Sequence, residues 1–318
     1  MRAVFALHPS FLATEIDVVG CGNTLGNILR FVESTERAFV FGIEIIGGTA
    51  FLIRMGSSPK ELIPDVLGYG HTFPEAYTSW DKGLKDSVSH QRLIRYQIDG
   101  LKCLLRFESD GYIKEKAFPE NDQFKEQVKL SKPSKEAEMS ALLLEAESMF
   151  VSERAPTVGA DRRDLKIELA GESVPQGAIF DLKTRSARKE INMEEMYPRL
   201  WLSQIPNLIV AYHNSGKFGQ PQHQDVQSEL REWESKNQEL LRQFCATLHR
   251  LIEMAKKAKD RRIEVHRNGH GPLDVREMSC GSWSALPPDL KGKWTGQAAT
   301  DVDSDEAVEE EDDDYLNF

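Results

Sequence analysis

The spacing of apolar and polar positions changes several times along the chain, and each change marks an element. Residues 15–44 read as strand, glycine-rich turn, helix and strand: EIDVV, GCGNTLG, NILRFVESTERA and FVFGIE. IEIIGGTAFLIRM reads as an antiparallel hairpin turning at Gly47-Gly48. Residues 56–90 are rich in turn formers, and Pro74 suits the first turn of a short helix with Glu75 near its start. LIRYQI and LKCLLRFES form a second hairpin that turns at Asp99-Gly100. Residues 115–163 predict an insertion between core strands, made of a polar stretch, a helix over KEAEMSALLLEAESMF and a polar loop, VSERAPTVGADRR. LKIELAGESV predicts an extra strand, and Pro175-Gln176-Gly177 turns the chain into GAIFDLKT. From Trp233 to Ala255, apolar residues recur at three- and four-residue steps, predicting one long amphipathic helix over Asp225 to Lys259. IEVHRNGHGPLDVREM predicts a hairpin around Asn268-Gly269, and residues 279–300 a loose segment.

The most informative stretch is Gly177 to His213. Alternation along its first strand puts Asp181 and Lys183 on one face and Leu182 on the other. A carboxylate beside an ammonium at a strand end suits a divalent metal and a water next to a phosphate. The carboxylate supplies oxygen to a hard cation, and the lysine steadies the water and the developing charge. At the end of the second hairpin, Glu108 and Asp110 are one residue apart and share a face.

In this order the segments resemble a known family. FDLKT is similar to the (D/E)-x-K strand of PD-(D/E)XK nucleases. WLSQIPNLIVAYH, with Trp201 two residues before Ser203-Gln204, resembles the glutamine motif of the decapping exonuclease branch, the DXO/Rai1 group. Glu108-Ser109-Asp110 matches the E-x-D of that branch, although Arg106-Phe107 stands where the family usually has glycine. The run from Gly68 to Tyr77 is similar to a helix segment that supplies the family with a carboxylate near its metals, here Glu75, with two extra residues and a proline intervening. The resemblance implies an α+β fold, a mixed β-sheet flanked by helices with a PD-(D/E)XK nuclease-like core. It implies metal-dependent hydrolysis of RNA phosphodiester or cap-related linkages at 5′ ends. The metal ligands for Mg²⁺ or Mn²⁺ would be Glu108, Asp110 and Asp181, with Glu75 as a further candidate. Lys183 would act on the water or the transition-state charge, and Gln204 would fix the site from the neighbouring helix. The implied partners are an RNA 5′ end and a 5′-3′ exonuclease protein. Asp164 and Glu168 are alternative ligands if a different strand carries the motif. An inactive nuclease fold that binds RNA or an exonuclease partner is the alternative reading.

Gly20, Gly22 and Gly26 open a different possibility. With Glu44 at the end of the next apolar run, they suit a nucleotide cofactor whose phosphate meets a helix N-terminus and whose ribose meets the acid. The competing reading is a tight turn capped by Asn23 or Thr24. The antiparallel hairpin that follows argues against a dinucleotide-binding half.

Composition narrows the classes further. The net charge of −11 is concentrated in residues 301–318, which hold ten acids and no Lys or Arg, so residues 1–300 carry only −1. The tail predicts a disordered acidic segment, and the near-neutral body leaves an anionic substrate open. The organisation expected is one nuclease-like domain over 1–278, the loose segment over 279–300 and the tail. The cysteines, Cys21, Cys103, Cys245 and Cys280, form no CxxC pair, which fits a reducing compartment rather than a disulfide framework. No apolar run reaches the length of a membrane span and no secretory signal is read, so the expectation is an intracellular protein of nucleus or cytoplasm. The basic residues Lys256, Lys257, Lys259, Arg261 and Arg262 suit either a nucleic-acid backbone or a helix C-terminus.

Overall fold

A computed structural model describes residues 1–55, 68–70, 72–85, 87–118, 149–154, 166–278 and 284–296. In chain order it contains α1 (Arg2–Leu7), β1 (Val18–Cys21), α2 (Gly22–Val32), β2 (Phe39–Ile46), β3 (Thr49–Met55), α3 (Thr72–Tyr77), β4 (Ser87–Ile98), β5 (Leu101–Glu108), β6 (Gly111–Tyr112) and α4 (Lys114–Ala117). There follow β7 (Met149–Arg154), β8 (Ile179–Ser186), α5 (Met193–Leu202), β9 (Asn207–Asn214), β10 (Lys217–Phe218), β11 (Gln222–Asp225), α6 (Gln227–Lys236), α7 (Gln238–Lys257), β12 (Arg262–Arg267), β13 (Asp274–Glu277) and α8 (Pro288–Thr295). Among these, no helix is long and apolar enough to cross a membrane.

The strands form two sheets. The larger has the order β13-β12-β2-β3-β1-β5-β4-β7, with β1 parallel to both neighbours and the other pairs antiparallel. The smaller has the order β10-β9-β8-β6, with β11 also pairing with β9. In it β8 and β9 run parallel, joined through α5. Helices α2, α5 and α7 close the main core over both sheets, through Leu25, Ile28, Leu200, Phe244 and Leu248 against Ile43, Leu105, Ile179 and Leu208. This is the mixed α+β architecture with helix-flanked sheets expected from the sequence.

Both expected N-terminal hairpins form. The β4–β5 turn places Asp99 and Gly100 at φ of 46° and 82°. That is the mirror-image two-residue turn whose twist matches antiparallel strands.

Several elements differ from expectation. The first strand runs Val18–Cys21 rather than 15–19, because residues 13–15 form a single 3₁₀ turn. The glycine-rich run is the end of β1 and the first turns of α2, not a loop. Thr24 bonds Cys21 Sγ instead of capping the helix, and Asn23 Oδ1 accepts from Asn27. LKIELAGESV is not a strand: residues 166–173 are exposed and only Val174 is buried, its carbonyl held by Arg92 Nη2 at 2.9 Å. Met149–Arg154, expected as helix end and polar loop, pairs instead with β4. The long helix breaks at Asn237, whose Nδ2 donates to the Trp233 carbonyl at 2.8 Å. Before the break Trp233 packs against Trp201 of α5 at 5.9 Å; after it α7 lies along α2. Within 279–300, α8 is ordered by burial of Leu290 and Trp294. The start of the expected insertion falls in α4, while its residues 119–148 and 155–163 and the acidic tail lie outside the described residues.

Candidate active site

The site forms where the β5–β6 connection meets β8. On β8, Phe180 and Leu182 face a small cluster with Phe73 of α3 and Ala211 of β9, while Ile179 faces the main core. Period-two alternation then puts Asp181 and Lys183 on the α5 side of the smaller sheet. The start of β8 is clamped by Asn207, a fully buried residue. Its Nδ2 donates to the carbonyls of Gly177 (2.9 Å) and Ile179 (2.8 Å), and its Oδ1 accepts from Lys116 Nζ at 2.6 Å. Gly111 lets β6 lie directly on β8. Its φ is 154°, and a Cβ there would stand 2.5 Å from the Phe180 ring. That close approach carries the preceding residue, Asp110, onto β8, where its Oδ2 accepts from the Leu182 amide at 2.7 Å.

Helix α5 covers this face. Asn192 caps it, accepting from Glu194 N at 3.2 Å and donating to Glu195 Oε1 at 2.9 Å, with both acids favourably placed at the helix N-terminus. A turn and a half later, Arg199 places its Nη2 on Asp181 Oδ2. Asp181 Oδ1 is buried with no hydrogen-bond partner among the described residues.

The electrostatics are those of a crowded acid pair. Burial pushes the Asp181 carboxyl up to about 6; Arg199 and Lys183 oppose this and the Asp110 charge adds to it. Asp110 is exposed as a residue because its backbone lies in the connection between strands, but its carboxylate is turned onto β8. Desolvation therefore raises its pKa too, opposed by the Leu182 amide, Arg199 and Lys183. The half-buried Lys183 thus acts on both carboxylates.

The other expected site residues lie elsewhere. Glu108 ends β5 opposite Gln91 and is exposed. Among the described residues no group of three or more His, Cys, Asp or Glu side chains is close enough to hold a metal ion. Glu108 therefore does not close a cluster with Asp110 and Asp181. Glu75 is exposed on α3, the helix that covers the opposite face of β8 from Asp181. Gln204 is not on the helix but beyond its end, at φ 52°, with Nε2 donating back to the Trp201 carbonyl at 2.5 Å and its own carbonyl accepting from Gln176 at 2.9 Å. Glu168 lies on the exposed segment before β8, paired with Lys166, and Asp164 lies outside the described residues.

The glycine-rich alternative finds no cradle. A Cβ on Gly22 would meet Ser203 Oγ at 3.5 Å and Phe107 at 3.7 Å, so protein packs against the start of α2. Glu44 is buried and committed: its carboxylate accepts from Arg262 Nη2 at 2.7 Å, Ser284 Oγ at 3.2 Å and the Ala285 amide at 2.5 Å. Three of the basic residues at the end of α7 and after it are used likewise, with Lys256 on Glu253 at 2.9 Å, Arg261 on the Gly47 carbonyl at 3.1 Å and Arg262 on Glu44.

Arg199 and Asn207 are the positions around Asp181 and β8 that sequence reasoning missed. Asn207 left a trace, a polar residue opening the apolar run LIVA. Arg199 left none, since an arginine on an amphipathic helix reads as solvated.

The remaining donor set fits a divalent cation in one respect and resists it in another. Two neighbouring carboxylates, one with a buried unshared oxygen, suit a hard ion that keeps several waters. Arg199 already supplies a positive charge to one of them.

Comparison with solved structures identifies the fold. Scheffersomyces stipitis Rai1, in complex with (3′-NADP)⁺ and calcium, superposes with a TM-score of 0.54 at 11% identity, over 93% of this chain and 78% of that one. S. pombe Rai1 in complex with 3′-FADP gives 0.52 at 13% identity, over 87% and 76%. Candida albicans Rai1 in complex with pU5 and Mn²⁺ gives 0.50 at 9% identity, over 88% and 75%. At such identities the likeness speaks to fold alone: the chain shares the architecture of these Rai1 structures. No curated protein matches by sequence. The sequence pattern of the family described as a domain of unknown function, DUF8563, matches residues 1–294, and the chain therefore belongs to that family.

Proposed function

We propose that the protein is a metal-dependent hydrolase of RNA phosphodiester or cap-related linkages at 5′ ends, acting in the nucleus or cytoplasm. The observation that carries this reading is the convergence of Asp110, Asp181 and Lys183 on one face of β8. The fold supports it, since Rai1 relatives bind pU5 with Mn²⁺ and nucleotide ligands with calcium.

Asp110 and Asp181 would hold Mg²⁺ or Mn²⁺, and such an ion supplies charge neutralisation at the phosphate and a bound water of lowered pKa. Lys183 presents an ammonium beside the carboxylates, where it meets phosphate oxygen and stabilises charge that develops there. Burial and the neighbouring Asp110 charge raise the Asp181 pKa, and Arg199 and Lys183 favour its ionised form. Its burial strengthens each interaction it makes. Arg199 balances that buried charge until substrate and ion arrive.

One observation favours a second reading, an inactive nuclease fold that binds RNA or an exonuclease partner. Arg199 sits on Asp181, and Glu108 adds no third ligand. A 5′-labelled RNA bearing a monophosphate or an incomplete cap separates the two. Mn²⁺-dependent release of label, lost in Asp181→Asn, supports the hydrolase. RNA binding without turnover, equal in Asp181→Asn, supports the scaffold.

A further inference from the structure

Two cations serve the acid pair, and they are mounted differently. Lys183 stands on β8 beside Asp181, whereas Arg199 reaches the pair from α5 and comes only part of the way in. Its Nη2 lies on Asp181 Oδ2, yet its side chain is 45% exposed where that of Asp181 is 6% exposed. Asp181 is its one ion-pair partner among the described residues. Part of the guanidinium therefore holds a buried carboxylate, and the rest of the side chain is open to water.

The backbone that carries Arg199 is fixed. Met196 and Leu200 of α5 are buried. Tyr96 donates to the Leu202 carbonyl at 3.0 Å, and Gln176 Nε2 donates to the carbonyls of Ser203 (3.0 Å) and Gln204 (2.9 Å). The end of the helix stays in place, and the guanidinium moves by rotation about its own side-chain bonds. Charge decides when it moves. With both carboxylates ionised, Asp110 and Asp181 are matched by Lys183 and Arg199, which act on both acids. A divalent cation held by the two acids leaves two positive charges in excess and repels the guanidinium. A terminal phosphate, which carries close to two negative charges at neutral pH, restores the balance. The planar donor array of arginine matches phosphate oxygens, which an ammonium meets only as a point charge.

We infer, resting on the metal-dependent reading above, that Arg199 is a phosphate-binding residue that leaves Asp181 for the substrate phosphate when a divalent cation occupies the acid pair. Cation and phosphate then bind cooperatively, since each favours the released arginine. The probe is uridine 5′-monophosphate, which has a terminal phosphate and no diester to cleave. It is titrated by calorimetry into the full chain with and without saturating Mn²⁺. The wild type is expected to bind it at least about tenfold more tightly with Mn²⁺. Arg199→Gln is expected to bind Mn²⁺ at least as tightly as the wild type. In Mn²⁺ it should nevertheless bind the nucleotide about tenfold more weakly, because a charge-assisted bond to phosphate is lost. Arg199→Lys, which keeps the charge and loses the fork, should retain part of the affinity. Mn²⁺ that binds the wild type, with a nucleotide affinity equal or higher in Arg199→Gln, overturns this role alone and leaves Arg199 a counter-charge of Asp181. Mn²⁺ that does not bind the wild type overturns the metal-dependent reading and this role with it.

Discussion

The guanidinium of Arg199, on α5, lies against the carboxylate of Asp181, on β8, and leaves the other Asp181 oxygen buried without a partner among the described residues. The pair joins the helix to the strand and sets the charge of the site. Asp181 is 6% exposed and Arg199 45% exposed, so solvent screens the cation far more than the anion. The contact is thus weaker than a fully buried ion pair, and a competing cation can displace it.

Replacing Arg199 by Gln should therefore raise Mn²⁺ affinity, by about threefold to tenfold if roughly 1 kcal/mol of competing interaction is removed. The same change leaves Asp181 without its main counter-charge and should lower stability by about 1 kcal/mol. Calorimetric titration and urea unfolding of wild type and Arg199→Gln measure the two effects.

Asp110 and Glu108 should separate cleanly. Asp110→Asn removes a charge held beside Asp181 and should abolish measurable Mn²⁺ binding. Glu108→Gln, at an exposed strand end, should leave it within about twofold of wild type. If Glu108 joins the ion only with substrate bound, its variant will still bind Mn²⁺ normally and will lose turnover alone.

Gly111→Ala tests how Asp110 is placed. The new Cβ would stand 2.5 Å from the Phe180 ring, in a backbone conformation that disfavours a side chain. A loss of about 1–3 kcal/mol in stability is expected, with weakened Mn²⁺ binding because β6 can no longer hold Asp110 against Leu182.

Much of this arrangement was legible in the sequence because it rests on local chemistry. Asp99-Gly100 fixed a hairpin, alternation through Phe180, Asp181, Leu182 and Lys183 fixed a face, and Glu108-Ser109-Asp110 marked a strand end. What failed depended on tertiary packing. Gln204 reads as part of a helix, yet Pro206 and the start of β9 end α5 before it and turn the residue away. Glu108 and Asp110 share a face by period two, yet the chain leaves β5 after Glu108, and only Asp110 follows β6 onto β8. LKIELAGESV alternates like a strand, yet no edge among the described strands receives it. A period-two pattern states what a strand would bury, not whether a partner is there.

His90 gives a pH dependence with a definite sign. Its pKa is lowered to about 4, mainly by burial, with Arg92 adding to the effect. The unfolded chain takes up a proton near pH 6.5 while the folded one does not until about 4. The stability contributed is intact above pH 6.5 and is lost as the pH falls through that window. Relative to His90→Gln, the wild type should lose on the order of 2 kcal/mol between pH 7.5 and 4.5, measured by urea unfolding at both values.

The central claim is that Asp110 and Asp181 together hold a catalytic divalent ion. Calorimetric titration of Mn²⁺ into wild type and Asp181→Ala tests it most directly. Micromolar binding to the wild type, lost in Asp181→Ala, is the expected result. No binding to the wild type at millimolar Mn²⁺, with or without a 5′-phosphorylated RNA present, would contradict it and leave Arg199 and Lys183 as the counter-charges of the acid pair.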